Sequence, residues 1–156
     1  MLMNIDYRWT DGSDEDFHRF YLKTEEFYSS IVGGLQNRTA FVPYNISESI
    51  TDVLIADVDG RTVGCAGLKA YSDTEVEIKR VWVEPDYRKN HIAETMMDLL
   101  EAKAQKLGFE KTILQTRPQM EAAVNMYLKR GYVFIDNYPP YDKLDGAICF
   151  SKELLK

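Results

Sequence analysis

The spacing of apolar residues changes several times along the chain, and each change marks a predicted element. Residues 4–9 alternate apolar and polar positions and predict a short strand. Over residues 17–31, apolar side chains recur at intervals of three and four, which is typical of an amphipathic helix. Ser13, with Asp16 three positions later at capping-box spacing, predicts the start of this helix, and the glycine pair at 33–34 predicts its end.

The middle of the chain predicts three consecutive strands. Asp59-Gly60 indicates a hairpin between the first two, because a primed turn requires positive φ at both central residues. Pro85 ends the third strand, since proline has no N–H to give to a sheet. The polar, irregular residues 35–49 come before these strands and predict a loop or a short helix. The predicted strands are residues 52–58, 62–71 and 74–83.

The second half of the chain alternates helices with strands. An apolar stripe at helical spacing predicts a helix over residues 90–107, which Gly108 ends. A second helix is predicted to carry Pro118 in its first turn, where proline is accepted, and to end at Gly131. The remaining predicted strands are residues 112–116, 132–135 and 147–152.

The predicted order of elements is β-α-loop-β-β-β-α-β-α-β-β, which defines an α/β fold. Strand–helix–strand crossovers favour parallel pairing, whereas the early hairpins favour antiparallel pairing. We therefore expect a mixed sheet with helices on its faces. The length of 156 residues fits one domain that covers residues 1–156.

Composition narrows the class of protein. The net charge of −6 argues against non-specific nucleic-acid binding, and no apolar stretch reaches the roughly 18 residues of a membrane span. The N-terminus has no signal pattern and there are only two cysteines, which favours a reduced, cytoplasmic setting.

Residues 1–60 hold 4 basic and 11 acidic side chains, which indicates either a cationic partner or simply a solvated acidic helix. The two histidines and two cysteines lie far apart, so no metal site is expected.

One segment combines the features of an anion site. In residues 81–93 a strand ends, a short turn follows and a helix begins, so the unpaired N–H groups of a helix N-terminus face the turn. Arg88, Lys89 and His91 add basic side chains there. Ordinary strand-to-helix turns share these features, so the segment alone indicates only a candidate phosphate site.

The same segment resembles the acyl-CoA-binding motif of the GNAT superfamily of N-acetyltransferases. In that motif an apolar strand end precedes an arginine or glutamine, two residues, a glycine, one residue, and a glycine or alanine. Here Arg88 and Ala93 fit, while His91 stands where the inner glycine is usual. A weakened or reshaped pyrophosphate site is one consequence that this departure allows.

A second match lies in residues 119–132, which are similar to the superfamily's Ala-x-x-x-Tyr-x-x-x-Gly-aromatic signature. Met120 stands where that signature often has a cofactor-contacting asparagine. Residues 114–141 and 148–152 are similar to a subgroup of small bacterial acetyltransferases. The matching signature positions are Ala123, Tyr127, Gly131 and Tyr132.

The resemblance implies a GNAT-like, mixed but mostly antiparallel twisted sheet of six to seven strands flanked by three to four helices. Its fourth and fifth strands would splay apart, and the co-substrate acetyl-CoA would pair its pantetheine arm with the backbone of Val81 and Val83. No metal is implied. The pyrophosphate would lie on the N–H groups of a loop formed by Arg88, Lys89, Asn90, His91, Ile92 and Ala93.

The resemblance also implies a catalytic acid, Tyr127, whose phenol would donate to the CoA sulfur. The same spacing fits a tyrosine that only fills the apolar face of its helix. Glu77 is the candidate base, because it shares strand parity with Val81 and Val83. Glu75 has the same parity but lies nearer the turn. The alternative for Glu77 is a solvated strand glutamate that pairs with Lys79.

His91 is a further candidate base or phosphate ligand, or else a side chain that faces solvent. Four aromatic residues in the two long loops either wall an acceptor pocket or pack within their loops. These residues are Phe41, Tyr44, Tyr138 and Tyr141.

The leading functional hypothesis is an acetyl-CoA-dependent N-acetyltransferase that acetylates a primary amine of a small or amino-acid-like molecule by direct transfer. Alternatives are acetylation of protein lysines or N-termini, a non-enzymatic acyl-CoA-binding module, and an interaction module that keeps only the fold. Nucleic acid and membranes are not expected partners, and a homodimer is compatible with the fold.

Overall fold

A computed structural model describes residues 4–31 and 50–154 of the chain, with side chains for all of these except residues 28–31. The predicted order of strands and helices is confirmed over these residues. The helices are α1 (Glu15–Ile31), α2 (Ile92–Lys106) and α3 (Glu121–Lys129). The strands are β1 (Ile5–Thr10), β2 (Asp52–Val58), β3 (Arg61–Ala70), β4 (Glu75–Val83), β5 (Lys111–Thr116), β6 (Val133–Ile135) and β7 (Ile148–Glu153).

The seven strands form one sheet in the order β1-β2-β3-β4-β5-β7-β6. The pairing of β4 with β5 is parallel, and every other pairing in the described sheet is antiparallel. The parallel pair is the one that α2 connects, as expected for a strand–helix–strand crossover. The predicted mixed, mostly antiparallel α/β sheet with flanking helices is therefore confirmed.

The β2–β3 hairpin has the predicted turn. Asp59 has φ 51° and Gly60 has φ 81°, so both central residues adopt the left-handed conformation that a primed turn requires. This conformation suits glycine because it has no Cβ, and aspartate tolerates it better than most residues. The turn sets the β2–β3 register, and β1 pairs antiparallel with the other edge of β2.

Helix α1 begins one residue later than predicted, because Asp14 rather than Ser13 caps it. The Asp14 carboxylate accepts the Phe17 N–H at 3.1 Å, and the Asp14 carbonyl accepts the His18 N–H at 2.9 Å. Ser13 instead donates its own N–H to Asp11 at 2.8 Å. The predicted end at Gly33-Gly34, and the loop at residues 35–49 with Phe41 and Tyr44, lie outside the described residues.

The other two helices also begin later than predicted. Lys89 and His91 have φ of 65° and 61°, so α2 cannot begin at Asn90 and starts at Ile92. Pro118 lies in a turn two residues before the Met120 cap of α3, not in its first turn.

Helix α3 ends at Lys129, and Gly131 terminates it as predicted, two residues further on. Gly131 has φ 92°, and this reversal lets the Tyr132 N–H bond to the Tyr127 carbonyl at 3.0 Å. The Tyr-x-x-x-Gly-aromatic spacing of the sequence signature is therefore the spacing that this helix C-cap requires. It brings the rings of Tyr127 and Tyr132 together, with centroids 5.7 Å apart.

The core has one layer on each face of the sheet. On one side, called the α2–α3 face, side chains such as Met96 and Leu100 of α2 and Tyr127 of α3 pack on the sheet. On the other, called the α1 face, Phe17 of α1 packs with Trp82. Burying such a side chain contributes about 1.5–3 kcal/mol, so both layers hold helices firmly on the sheet.

Candidate active site

The β4 and β5 strands pair over a short distance and then diverge. Their register ends with Glu77 opposite Ile113, although β4 continues to Val83 and β5 to Thr116. Val83 still pairs with Gly64 of β3 on its other side. Beyond Glu77 the β5-facing edge of β4 therefore has no strand partner in the described sheet. An open strand edge offers backbone N–H and C=O groups to an extended ligand.

A β-bulge lies within β4, just beyond the point of divergence. Lys79 pairs with Gly67 and Trp82 pairs with Cys65, so three steps along β4 match two along β3. Arg80 sits in the bulge with φ 57°. Because of this extra residue, each side chain beyond the bulge projects from the face opposite to the one that simple alternation along the strand predicts.

The bulge corrects one inference from strand parity. Val81 and Val83 pack on the α2–α3 face, as Ile78 does before the bulge, whereas Glu77 projects from the opposite face. The prediction that Glu77 shares the face of Val81 and Val83 is therefore wrong. A signal of the bulge is present in the sequence, because two consecutive charged residues at 79–80 are followed by three apolar ones.

Helix α1 holds the bulge in place through Arg80. The Arg80 guanidinium donates to the Thr24 hydroxyl at 2.9 Å and forms an ion pair with Glu25. It also lies over the Tyr21 ring, 4.5 Å from the ring centroid. The left-handed backbone at Arg80 is thus fixed by contacts from three residues of α1.

Glu77 lies at the point of divergence and is only 6% exposed. Its Oε2 accepts a hydrogen bond from the Tyr138 hydroxyl at 2.7 Å, and its Oε1 lies 3.5 Å from the ammonium nitrogen of Lys79. Lys79 in turn donates to the Tyr141 hydroxyl at 2.8 Å. The alternative of a solvated strand glutamate is therefore wrong, although the expected pairing with Lys79 is present.

Burial shifts the titration of the groups around Glu77. It lowers the pKa of Lys79, while the Glu77 charge acts in the opposite direction. Burial and the Glu77 carboxylate both raise the pKa of Tyr138, so this phenol keeps its proton and donates a hydrogen bond to Glu77. The pKa of Tyr141 is raised for the same reasons.

The loop before α2 places backbone N–H groups at the helix N-terminus. No side chain caps this end of α2, and the first N–H groups of any helix lack intrahelical partners. Asn90 holds the loop by donating its amide to the Tyr87 and Arg88 carbonyls at 3.0 and 3.2 Å. This terminus is therefore open to an anion, with Ile92 buried beneath it and Ala93 half-buried.

The basic side chains of this loop point in different directions. Arg88 donates its Nε–H to the Val83 carbonyl at 2.9 Å and lies over the Trp82 ring, so its side chain packs against the end of β4. The exposed His91 ring lies 2.9 Å from the Glu94 carboxylate. Lys89 is exposed as well.

We expect His91→Gly to stabilise the protein by about 0.5–1 kcal/mol, because glycine adopts a φ of 61° without the strain that a Cβ brings. The exposed pair with Glu94 contributes little that would be lost. Thermal unfolding followed by circular dichroism measures the effect. His91→Ala is the matched control: it removes the imidazole and keeps the Cβ, so it should not stabilise. Equal shifts for the two variants would contradict this explanation.

Tyr127 is buried in the α2–α3 core layer, with 6% of its surface exposed. Its ring packs against Tyr132 and lies 6.2 Å from Phe150 between centroids. Val83 and Ile92 belong to the same layer, and Val81 and Ala93 pack on it. The structure thus brings Tyr127 together with four of the eight predicted cofactor-binding residues on one face, and places Glu77 on the other.

Both cysteines are free and buried. Burial raises the pKa of the Cys149 thiol to about 11 and raises the pKa of Cys65 as well. Neither is therefore a thiolate near neutral pH. Within residues 4–31 and 50–154, no three histidine, cysteine, aspartate or glutamate side chains gather in a way that could hold a metal ion. No helix in this part of the chain is long and apolar enough to cross a membrane.

Residues 8–132 match the acetyltransferase (GNAT) family, and the chain belongs to this family. The resemblance drawn from the two sequence motifs is therefore confirmed.

Two curated relatives share part of the sequence. An amino-acid acetyltransferase of Pasteurella multocida is 33% identical over 85 residues, which cover 53% of this chain but only 18% of that relative. An IAA acetyltransferase of Azospirillum brasilense is 29% identical over 104 residues, covering 65% of this chain and 67% of that relative.

Solved structures share the fold over nearly the whole chain. A GNAT-family acetyltransferase from Staphylococcus aureus superposes with a TM-score of 0.74 at 18% identity, covering 97% of this chain and 100% of that one. A GNAT-family acetyltransferase from Elizabethkingia anophelis, solved with acetyl-CoA bound, has a TM-score of 0.70 at 17% identity and covers 97% and 99% of the two chains.

Proposed function

We propose that this protein transfers an acetyl group from acetyl-CoA directly to the primary amine of a small, amino-acid-like molecule. The observation that carries the proposal is the position of Glu77. A buried carboxylate stands where β4 and β5 part, on the face opposite Tyr127 and the α2 N-terminus. Donor and acceptor could thus approach the opening from opposite sides of the sheet.

The residues present fit acetyl-CoA. The β4 edge at Val81 and Val83 offers backbone partners for amide groups, and the open N-terminus of α2 suits a pyrophosphate. Positive φ at Lys89 and His91 turns the chain into this terminus. When bound, acetyl-CoA supplies an activated acetyl thioester. The residues proposed to hold it are Val81, Val83, Arg88, Lys89, Asn90, His91, Ile92 and Ala93.

Two side chains are proposed to act as the general base and the general acid of the reaction. An alkyl ammonium has an ordinary pKa near ~10.4, so the acceptor must lose a proton before its nitrogen can attack. Glu77 takes that proton at its carboxylate. Tyr127 holds a phenolic proton for the departing thiolate. The buried, protonated thiols of Cys65 and Cys149 favour direct transfer over an acyl-enzyme.

The acceptor class is supported by charge and by relatives. Glu77 and Lys79 place opposite charges 3.5 Å apart at the opening, a pattern that suits a molecule with both an amine and an acidic group. Two relatives are named for acetylation of an amino acid and of IAA. Acetylation of protein lysines or N-termini is the competing activity, and panels of both acceptor types would separate the two.

Calorimetric titration with acetyl-CoA tests the cofactor site first. We expect binding in about the micromolar range that requires the pyrophosphate, with acetyl-pantetheine lacking phosphates as the weak comparison. Ala93→Asp should weaken binding by about tenfold or more, because it places a negative charge in the first turn of α2. Aspartate is favourable for a helix N-terminus, so folding should hold.

Ala93→Asn is the matched variant, since it has the same shape without the charge and should bind nearly as wild type does. Failure to bind at millimolar acetyl-CoA would refute the proposed function. Tight binding without thiol release for any amine would instead support an acyl-CoA-binding module, which the unusual His91 and Met120 also motivate.

A further inference from the structure

A loop from the far end of the chain is fastened over Glu77. Residues 136–147, here called the Tyr138 loop, connect β6 and β7. Tyr138 donates to Glu77 at 2.7 Å, and the Tyr71 hydroxyl at the end of β3 donates to the Pro139 carbonyl at 2.7 Å. The Tyr71 and Tyr138 rings also meet edge to face, 5.0 Å between centroids. The loop is therefore held by the Tyr138 bond to the carboxylate, by the Tyr71 bond to backbone and by the Lys79 bond to the Tyr141 hydroxyl.

The bond from Tyr138 holds one oxygen of the Glu77 carboxylate, and Tyr141 hydrogen-bonds to the same carboxylate. A buried carboxylate is stable only where hydrogen bonds and charges replace water. Lys79 at 3.5 Å from Oε1 supplies charge but lies beyond a normal hydrogen-bond distance, whereas Tyr138 bonds Oε2 directly. A carboxylate has about four lone-pair sites, so these bonds leave sites for a further proton donor.

We propose that Tyr138 is a positioning residue that orients Glu77 to accept the proton of the acceptor amine. The inference rests on the proposed function and deepens it, because it assigns a second residue to the proton-accepting side of the site. Tyr138 keeps its own proton throughout. It acts by holding the carboxylate, and the amine proton goes to a free lone pair of Glu77.

Steady-state kinetics of Tyr138→Phe tests the inference. Phenylalanine keeps the ring against Tyr71 and removes only the hydroxyl. We expect kcat to fall by about tenfold, the size of one lost hydrogen bond to a charged group, with the KM for acetyl-CoA unchanged. Tyr71→Phe is the matched control: it loosens the same loop without touching Glu77, and should keep kcat within about twofold of wild type.

A double-mutant cycle separates positioning from a structural effect. If Tyr138 acts through Glu77, Tyr138→Phe has no further effect on kcat in a Glu77→Gln background. Additive losses, or equal losses in Tyr138→Phe and Tyr71→Phe, would overturn the inference while leaving the acetyltransferase proposal intact. A wild-type protein that acetylates no amine would overturn the proposed function, and the inference with it.

Discussion

Replacing Glu77 with glutamine is expected to lower kcat for acetyl transfer by about 100-fold or more, the usual contribution of a positioned general base. Glutamine has the same shape but cannot accept the proton of an ammonium group at neutral pH. Cofactor binding should be retained, because Glu77 lies on the face opposite Val81 and Val83. Thiol release in steady state, with calorimetric titration of acetyl-CoA, measures both quantities.

The controls for Glu77→Gln address folding and charge. Removing Glu77 leaves Lys79 buried without its counterion, which destabilises a protein, so each assay needs a circular-dichroism check that the variant is folded. Glu75→Gln removes a carboxylate from the same strand, where Glu75 accepts the Ser72 hydroxyl at 3.2 Å. It should leave kcat nearly unchanged. A folded Glu77→Gln variant with wild-type kcat would exclude Glu77 as the base.

Tyr127→Phe is expected to lower kcat by about 10- to 100-fold and to leave the Kd for acetyl-CoA nearly unchanged. The variant keeps the buried ring between Tyr132 and Phe150 and removes only the proposed proton donor. The effect should be smaller than for Glu77→Gln. A thiol has an ordinary pKa near ~8.5, so its thiolate can leave without being protonated, and a proton donor is needed less than a base. Steady-state and single-turnover thiol release measure the loss.

Tyr132→Phe is the matched control for Tyr127. The Tyr132 hydroxyl bonds Thr112 at 2.8 Å and Glu101 at 3.1 Å, within a cluster that ties β5 to α2. Its removal should lower thermal stability and spare kcat. If Tyr127→Phe behaved in the same way, with stability or cofactor affinity lost and turnover kept, Tyr127 would be a packing residue.

The sequence predicts best those features that local chemistry decides. Asp59-Gly60 sets a hairpin because two neighbouring residues must both adopt positive φ. Gly131 ends α3 for a similarly local reason. The order of strands and helices follows from periodicity, and two motifs at consistent spacing identify the family.

Features that depend on contacts across the sheet were not predictable in this way. Strand parity assigned Glu77 to the wrong face because the bulge at Arg80 is held by α1, more than fifty residues away in sequence. The bond between Tyr138 and Glu77 likewise joins residues 61 positions apart. Ser13 was the predicted cap of α1, but Asp14 is the residue whose carboxylate reaches the Phe17 N–H.

The short pairing between β4 and β5 also divides the sheet mechanically. Strands β1 to β4 form one antiparallel unit and β5, β7 and β6 form another, and in the sheet the two units meet along residues 75–77 and 111–113. Because few backbone pairs join the two units, we expect partial opening between them to cost less than global unfolding and to allow amide hydrogens there to exchange. A molecule that lies in the gap and touches both units joins them. Its binding free energy therefore adds to the free energy that holds the two cooperative units together.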